Sequence, residues 1–379
     1  MTRSLVVDCD SHVMEPADLW QRYLEPRFRE RAIRIVVENG IEKLVIDDQV
    51  VLEGILAALG GAHIERPKLF AGGLRYADGC QPASYDPLER AKLLDAWGVD
   101  AGVLFPTVGI LPFPTRDHEL ASAYCRAYNT WQSEFAQALP GRAVPIAALH
   151  WGDPDEAARE LDRCLRLGFR GAFLPPEPID GVRPGQGKLD AVFARCAEAR
   201  IPVCLHVVVR FSGAAVPFAP WLETGSRELG TSPGLLFSFG VGGMGQITPA
   251  LASLITDGLF DRLPELRVLC VEAGCGFAAY LMDRLDEKQP FFRELTRPLA
   301  LRPSDYVRRN VWFVAEPEER TIGAMLELVG EDRILWGSDY PHVDSSLEAP
   351  AQIRHSVAAL SPERQRAVLG ANAAALFGL

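Results

Sequence analysis

Carboxylates and imidazoles gather at the ends of apolar runs in this chain. Asp8, Asp10 and His12 alternate near its start, and Asp339 and His342 follow the run Ile334 to Ser338 almost a full chain later. Successive strand residues face opposite ways, so Asp8, Asp10 and His12 point to one side, and Asp10 and His12 can reach a single ion. His206 and Glu272 each close a further apolar run. Asp10, Glu272, Asp339, His12, His206 and His342 together offer enough carboxylates and imidazoles to hold two divalent ions through a bridging carboxylate. Oxygen and nitrogen donors without thiolates suit iron, manganese or zinc, and spacing alone does not rank them. A second role is open to His342, orienting Asp339 rather than binding metal, because Pro341 stiffens the turn that carries it. The expected chemistry is that of a metalloenzyme with Glu272 and Asp339 as catalytic carboxylates.

Residues so far apart meet only in a fold that brings many strand ends to one place. Strand candidates run Leu5 to Asp10, Ala101 to Phe105, Val144 to Leu149, Gly171 to Leu174, Val203 to His206, Val268 to Glu272, Val311 to Val314 and Ile334 to Ser338. Amphipathic helix patterns separate them, at Pro87 to Trp97, Asp117 to Leu139, Asp155 to Leu167, Leu189 to Ala199, Ile247 to Leu263, Gly276 to Phe292 and Glu318 to Val329. This alternation implies a parallel sheet. Eight such strands close into an α/β fold, the (β/α)8 TIM barrel, whose catalytic groups stand at the C-terminal strand ends.

Residues 1–379 read as a single barrel domain. Such a barrel needs about 250 residues, so insertions are expected at residues 30–84 and 210–245. The first holds a small β-hairpin, Ile33 to Val37 with Leu44 to Ile46, turning at Asn39-Gly40, and then a loop from Ala57 to Ser84 over the barrel mouth. The second is a lid from Arg210 to Gly245 after the fifth barrel strand. Glu15-Pro16 reads as a helix start, and Pro362 to Phe377 as a closing helix.

Composition excludes several classes. The formal net charge is −11 and the chain is 48% hydrophobic and 23% charged, which suits a globular protein and argues against a nucleic-acid partner. The eight cysteines contain no C-x-x-C pair and several lie in apolar runs, so reduced thiols and a cytoplasmic setting are expected. No apolar stretch approaches the roughly 20 residues that cross a membrane, and the N-terminus does not read as a secretion signal.

The run Asp8-x-Asp10-x-His12-x-x-Glu15-Pro16, His206, the Glu272-Ala273-Gly274 segment and Ser338-Asp339-Tyr340-Pro341-His342 resemble the amidohydrolase-related family. The likeness lies in the branch that includes the aminocarboxymuconate semialdehyde and γ-resorcylate decarboxylases, and it spans nearly the whole chain in order. The resemblance implies metal ligands at Asp10, His12, His206 and Asp339. The family's decarboxylases place a catalytic His at strand six, where this chain has Glu272. A carboxylate accepts a proton only if its pKa is raised, and it does not offer the imidazolium that protonates a carbanion near neutral pH. The carboxylate-rich pattern is similar to that of dinuclear non-heme iron oxygenases in the family. That likeness implies two iron ions, an external reductant, and a monooxygenase hydroxylating a small apolar carboxylate or natural-product intermediate. The alternatives are metal-dependent hydrolysis of an amide, ester or lactone, and non-oxidative decarboxylation. A non-catalytic subunit of a complex would not need the full ligand set.

Substrate identity is weakly encoded. Arg210 and Arg75 are candidate carboxylate clamps, since guanidinium pairs with carboxylate bidentately. Trp151, Trp221 and His150 lie where the mouth is expected, and an aromatic lining favours an apolar or ring-bearing substrate. The glycine cluster from Gly240 to Gly245 does not follow a strand and is not read as a phosphate loop. The expected partner is a small molecule, with association into a homo-oligomer left open.

Overall fold

The computed structural model describes residues 4–70, 73–109, 115–208 and 233–379. Strands are numbered in chain order. β1 (Val7–His12) opens the barrel, and β2 (Arg34–Glu38), β3 (Ile41–Ile46) and β4 (Gln49–Glu53) form a separate antiparallel sheet. β5 (Ala101–Phe105), β6 (Ala143–Ala147), β7 (Gly171–Leu174), β8 (Pro202–His206), β9 (Arg267–Val271), β10 (Val311–Ala315) and β11 (Ile334–Trp336) complete the barrel, each parallel to the next. Ser11 bridges Tyr340, and Asp10 O accepts from Ser338 N and Asp339 N at 3.1 and 2.8 Å, which ties the segment after β11 back to β1. The eight-stranded α/β barrel is the fold expected.

Both faces of the strands are buried, as a barrel wrapped by helices requires. Val203 and Leu205 pack outward against the helices, so Cys204 and His206 point inward. β9 repeats this, with Val268 and Cys270 outward and Leu269 and Val271 inward.

Three details differ from the sequence reading. The expected hairpin is a three-stranded sheet. Asn39 and Gly40 have positive φ as anticipated, and so do Asp47 and Asp48, which make the second tight turn and admit β4. The closing helix spans Pro362–Phe377 but loosens into a π turn at Ala367–Ala371. There Gly370 presses on β1's approach, where an added Cβ would stand 2.0 Å from Leu5 O.

The third difference concerns the lid. Residues 210–232 lie outside the described residues, and the rest of that stretch belongs to a helix, Pro233–Thr256. The glycine cluster lies in this helix, and Gly243 packs closely there: a Cβ on it would meet Glu272 O at 2.3 Å, whereas Gly240 and Gly242 face open space. The described residues between 57 and 84 form short helices as well as loop, and they do approach the barrel mouth. Ala62 N donates to Pro341 O, and Leu56 and Leu69 pack on Val343.

Candidate metal centre

Four strand ends bring six titratable groups together. His12 Nε2 lies 3.3 Å from Asp10 Oδ1, 3.4 Å from Asp339 Oδ1 and 3.2 Å from His206 Nε2. His206 Nε2 is 3.4 Å from Asp10 Oδ1, and its Nδ1 is 3.4 Å from Glu272 Oε2. His342 Nδ1 lies 2.8 Å from Asp339 Oδ1, and its ring centroid is 3.9 Å from that of His12. Asp10, His12 and His206 form one set with ligand atoms within 4.8 Å of one another, His12, Asp339 and His342 a second, and Glu272, Asp339 and Asp344 a third.

Tautomers follow from the neighbours. His12 Nδ1 contacts Pro106 O at 2.8 Å, and His206 Nδ1 contacts Val207 O at 2.8 Å. A carbonyl only accepts, so each Nδ1 carries the proton and each Nε2 presents a lone pair. The two lone pairs therefore face each other in a fully buried site. Asp10 Oδ1 and both Asp339 oxygens are buried without a hydrogen-bond partner. Lone pairs aimed at one point with no donor among them fit a divalent cation bound by nitrogen and oxygen.

Electrostatics agree. Burial pushes the His12 and His342 imidazoles down, favouring their neutral, ligating form. Burial alone would raise Asp10, but His12 and His206 hold its carboxyl below the ordinary range. Glu272 moves up through burial and then Asp10, Asp344 and Glu316, and Asp339 through burial and then Glu272, Asp344, Asp10 and Glu316. Glu272 and Asp339 also adopt left-handed backbone, with φ of 61° and 55°, a conformation uncommon outside glycine that turns each away from its strand.

Supporting residues fix the ends of β1. A register shift between Asp8 and Ser11 interrupts the alternation, and Asp8 does not join Asp10 and His12. Its carboxylate accepts from Ser338 N at 2.9 Å and Ser338 Oγ at 2.6 Å, holding β1 to the loop after β11. Arg90 is fully buried and donates to Ser11 Oγ, His12 O and Ala83 O. Glu15 does not start a helix but is buried, accepting from backbone N–H groups of the loop after β5. Arg90, Thr107, Asp344 and Glu316 carried no recognisable signal. Glu15 did, through its place in the first motif.

The candidate substrate groups separate. Arg75 precedes the short helix Tyr76–Gly79 in the mouth insertion, with a buried Nη1 that has no hydrogen-bond partner. Trp151 is a packing residue of the outer core rather than a mouth residue, since its indole donates to Phe173 O and its ring lies against Phe193. His150 Nε2 pairs with His118 Nδ1 at 2.8 Å. Arg210 and Trp221 lie outside the described residues. No helix among the described residues is long and apolar enough to cross a membrane.

A family model described as amidohydrolase matches residues 7–379. The chain is 31% identical over 265 residues to a γ-resorcylate decarboxylase of Rhizobium radiobacter, covering 66% of this chain and 76% of that protein. It is 24% identical over 299 residues to a 2-amino-3-carboxymuconate-6-semialdehyde decarboxylase of Dictyostelium discoideum, covering 78% and 77%. Its structure aligns over the full length of both chains with an amidohydrolase of Mycobacterium avium subsp. paratuberculosis, with a TM-score of 0.80 and 25% identity. These relatives overturn the monooxygenase expectation in favour of the non-oxidative alternative. That expectation rested on Glu272 standing where the decarboxylases place a His. Burial, followed by Asp10, Asp344 and Glu316, pushes the Glu272 carboxyl up from the ordinary glutamate range, the direction a proton-donating carboxyl needs.

Proposed function

The chain belongs to the amidohydrolase family, and we propose that it is a divalent-metal-dependent, non-oxidative decarboxylase of a small aromatic or conjugated carboxylic acid. The observation that carries this reading is the opposition of the His12 and His206 lone pairs across 3.2 Å, beside Asp10 and Asp339. Asp10, His12, His206 and Asp339 would hold the ion, with His342 against Asp339. Glu272, Asp339 and Asp344 are the donors a second ion would use, with Asp339 common to both sets. The reaction needs only the first.

When bound, the ion supplies fixed positive charge against which the substrate's oxygens are oriented. Arg75, with its unpartnered Nη1, pairs with a substrate carboxylate or phenolate at the mouth. Glu272 holds a proton beside His206, and delivers it to the carbon that bears the leaving carboxylate. The bond from that carbon to the carboxylate then breaks, its electron pair stays on the carbon skeleton, and carbon dioxide departs. Glu272 regains its proton from solvent, so one proton is consumed and no electrons are exchanged. One barrel domain with its two insertions supplies all these groups.

The test is a panel of hydroxybenzoates, γ-resorcylate included, offered to manganese-loaded protein in heavy water. Release of carbon dioxide with one deuterium at the vacated carbon supports the reading. Intact acids across the panel, with turnover of amides, esters or lactones instead, would replace it with hydrolysis.

A further inference from the structure

We propose that Glu15 is a positioning residue of the metal centre: its carboxylate shapes the loop after β5 so that this loop fixes the rings of His12 and His342. The proposal rests on the reading of the His cluster as a divalent-cation site.

Glu15 is buried, 1% exposed, three residues beyond His12. Its Oε1 accepts from Thr107 N at 3.0 Å and Gly109 N at 2.9 Å, and its Oε2 from Val108 N at 2.8 Å. Three successive backbone N–H groups thus converge on one carboxylate, an anion-holding concavity occupied by the chain's own side chain. Among the described residues no Lys or Arg pairs with Glu15. A buried carboxylate without such a partner is tolerated only where hydrogen bonds compensate it, so the carboxylate and the loop fix each other.

The same loop supplies partners to two imidazoles. Pro106 O receives His12 Nδ1 at 2.8 Å, and Thr107 Oγ1 lies 3.2 Å from His342 Nε2. The Pro106 contact sets the His12 tautomer that points Nε2 at Asp10, Asp339 and His206. Gly109 leaves room for the arrangement, since a Cβ there would stand 3.0 Å from Pro106 Cβ and 3.4 Å from Glu15 Oε1. The Glu15 carboxylate contacts Thr107, Val108 and Gly109 rather than the lone-pair cluster. Its effect on the cluster passes through residues 106–107.

The conservative variant E15Q keeps the shape, but its carboxamide turns an N–H₂ toward backbone donors. The test uses metal-free full-length protein titrated with manganese, with free ion read by electron paramagnetic resonance, and with cobalt, read by visible absorption. Outer partners of ligating His typically control metal affinity by about 10- to 100-fold. E15Q is expected to weaken manganese binding by that amount and to change the cobalt spectrum. E160Q is the control, because Glu160 is also buried and hydrogen-bonded, to Asn129 and Arg163, away from the centre. It is expected to lower the melting temperature while leaving both metal readouts unchanged. If E15Q does not fold, E15D, which keeps the charge but shortens the reach, carries the same thresholds. Affinity within twofold of the natural chain with an identical cobalt spectrum would overturn the proposal. Failure of the natural chain to bind either metal would overturn the cation-site reading itself, and this proposal with it.

Discussion

The Nε2 atoms of His12 and His206 stand 3.2 Å apart, and each ring donates its Nδ1 proton to a backbone carbonyl. Two neutral imidazoles so arranged repel unless a positive charge lies between them. Removing one should therefore remove the charge. The natural chain is expected to retain manganese after loading and desalting, and H206A and D339A to lose most of it, as measured by mass-spectrometric metal analysis. The natural chain at manganese about a hundredfold above its Kd should gain about 2.7 kcal/mol in unfolding free energy, and neither variant should.

Glu272 should behave as a proton donor rather than as a binding group. E272Q is expected to lower kcat by about 10²- to 10⁴-fold, the usual range for an acid or base, while changing KM little. A rise in KM with kcat unchanged would assign Glu272 to substrate binding instead.

The His118 and His150 pair makes a pH prediction away from the metal. Burial, followed by the charge of His118, pushes His150 from its ordinary 6.5 down to about 4. The unfolded chain then binds more protons than the folded one between these values, so stability from this group is present above about pH 6.5 and is lost as pH falls through 4. H118A should flatten this acid limb in urea unfolding at pH 4 to 7. Nuclear magnetic resonance titration of His150 should show an upward shift in the variant, and an unchanged midpoint would refute the pairing.

Gly243 offers a geometric test. A Cβ there would stand 2.3 Å from Glu272 O, so G243A must push the helix Pro233–Thr256 off the turn that carries Glu272. The overpacking should cost about 1 to 3 kcal/mol. Activity should fall further than the stability loss alone explains if Glu272, carried by the displaced backbone, is the proposed proton donor.

The barrel was legible because alternating apolar strands and amphipathic helices leave few other closures; the strand ends located His206 and Glu272 within a residue, while the last strand stops at Trp336, two residues short of the expected Ser338. Four kinds of information were hidden. Asp8 follows the alternation on paper, yet the register shift in β1 turns it to Ser338. Arg90 looks like a surface residue of an amphipathic helix, and only the fold shows it buried beneath β1. Trp151 sits near a strand end, but packing rather than position in sequence decides which way it faces. The surroundings of Glu272 were hidden, because its carboxyl is pushed up by burial and then by Asp10, Asp344 and Glu316, and no spacing rule brings the last two near.

The most direct test of the central claim is anomalous diffraction at the manganese edge from crystals of the metal-loaded chain. One strong peak is expected within coordination distance of His12 Nε2, His206 Nε2, Asp10 and Asp339. Crystals grown in saturating manganese that show no anomalous peak at that position would contradict the account.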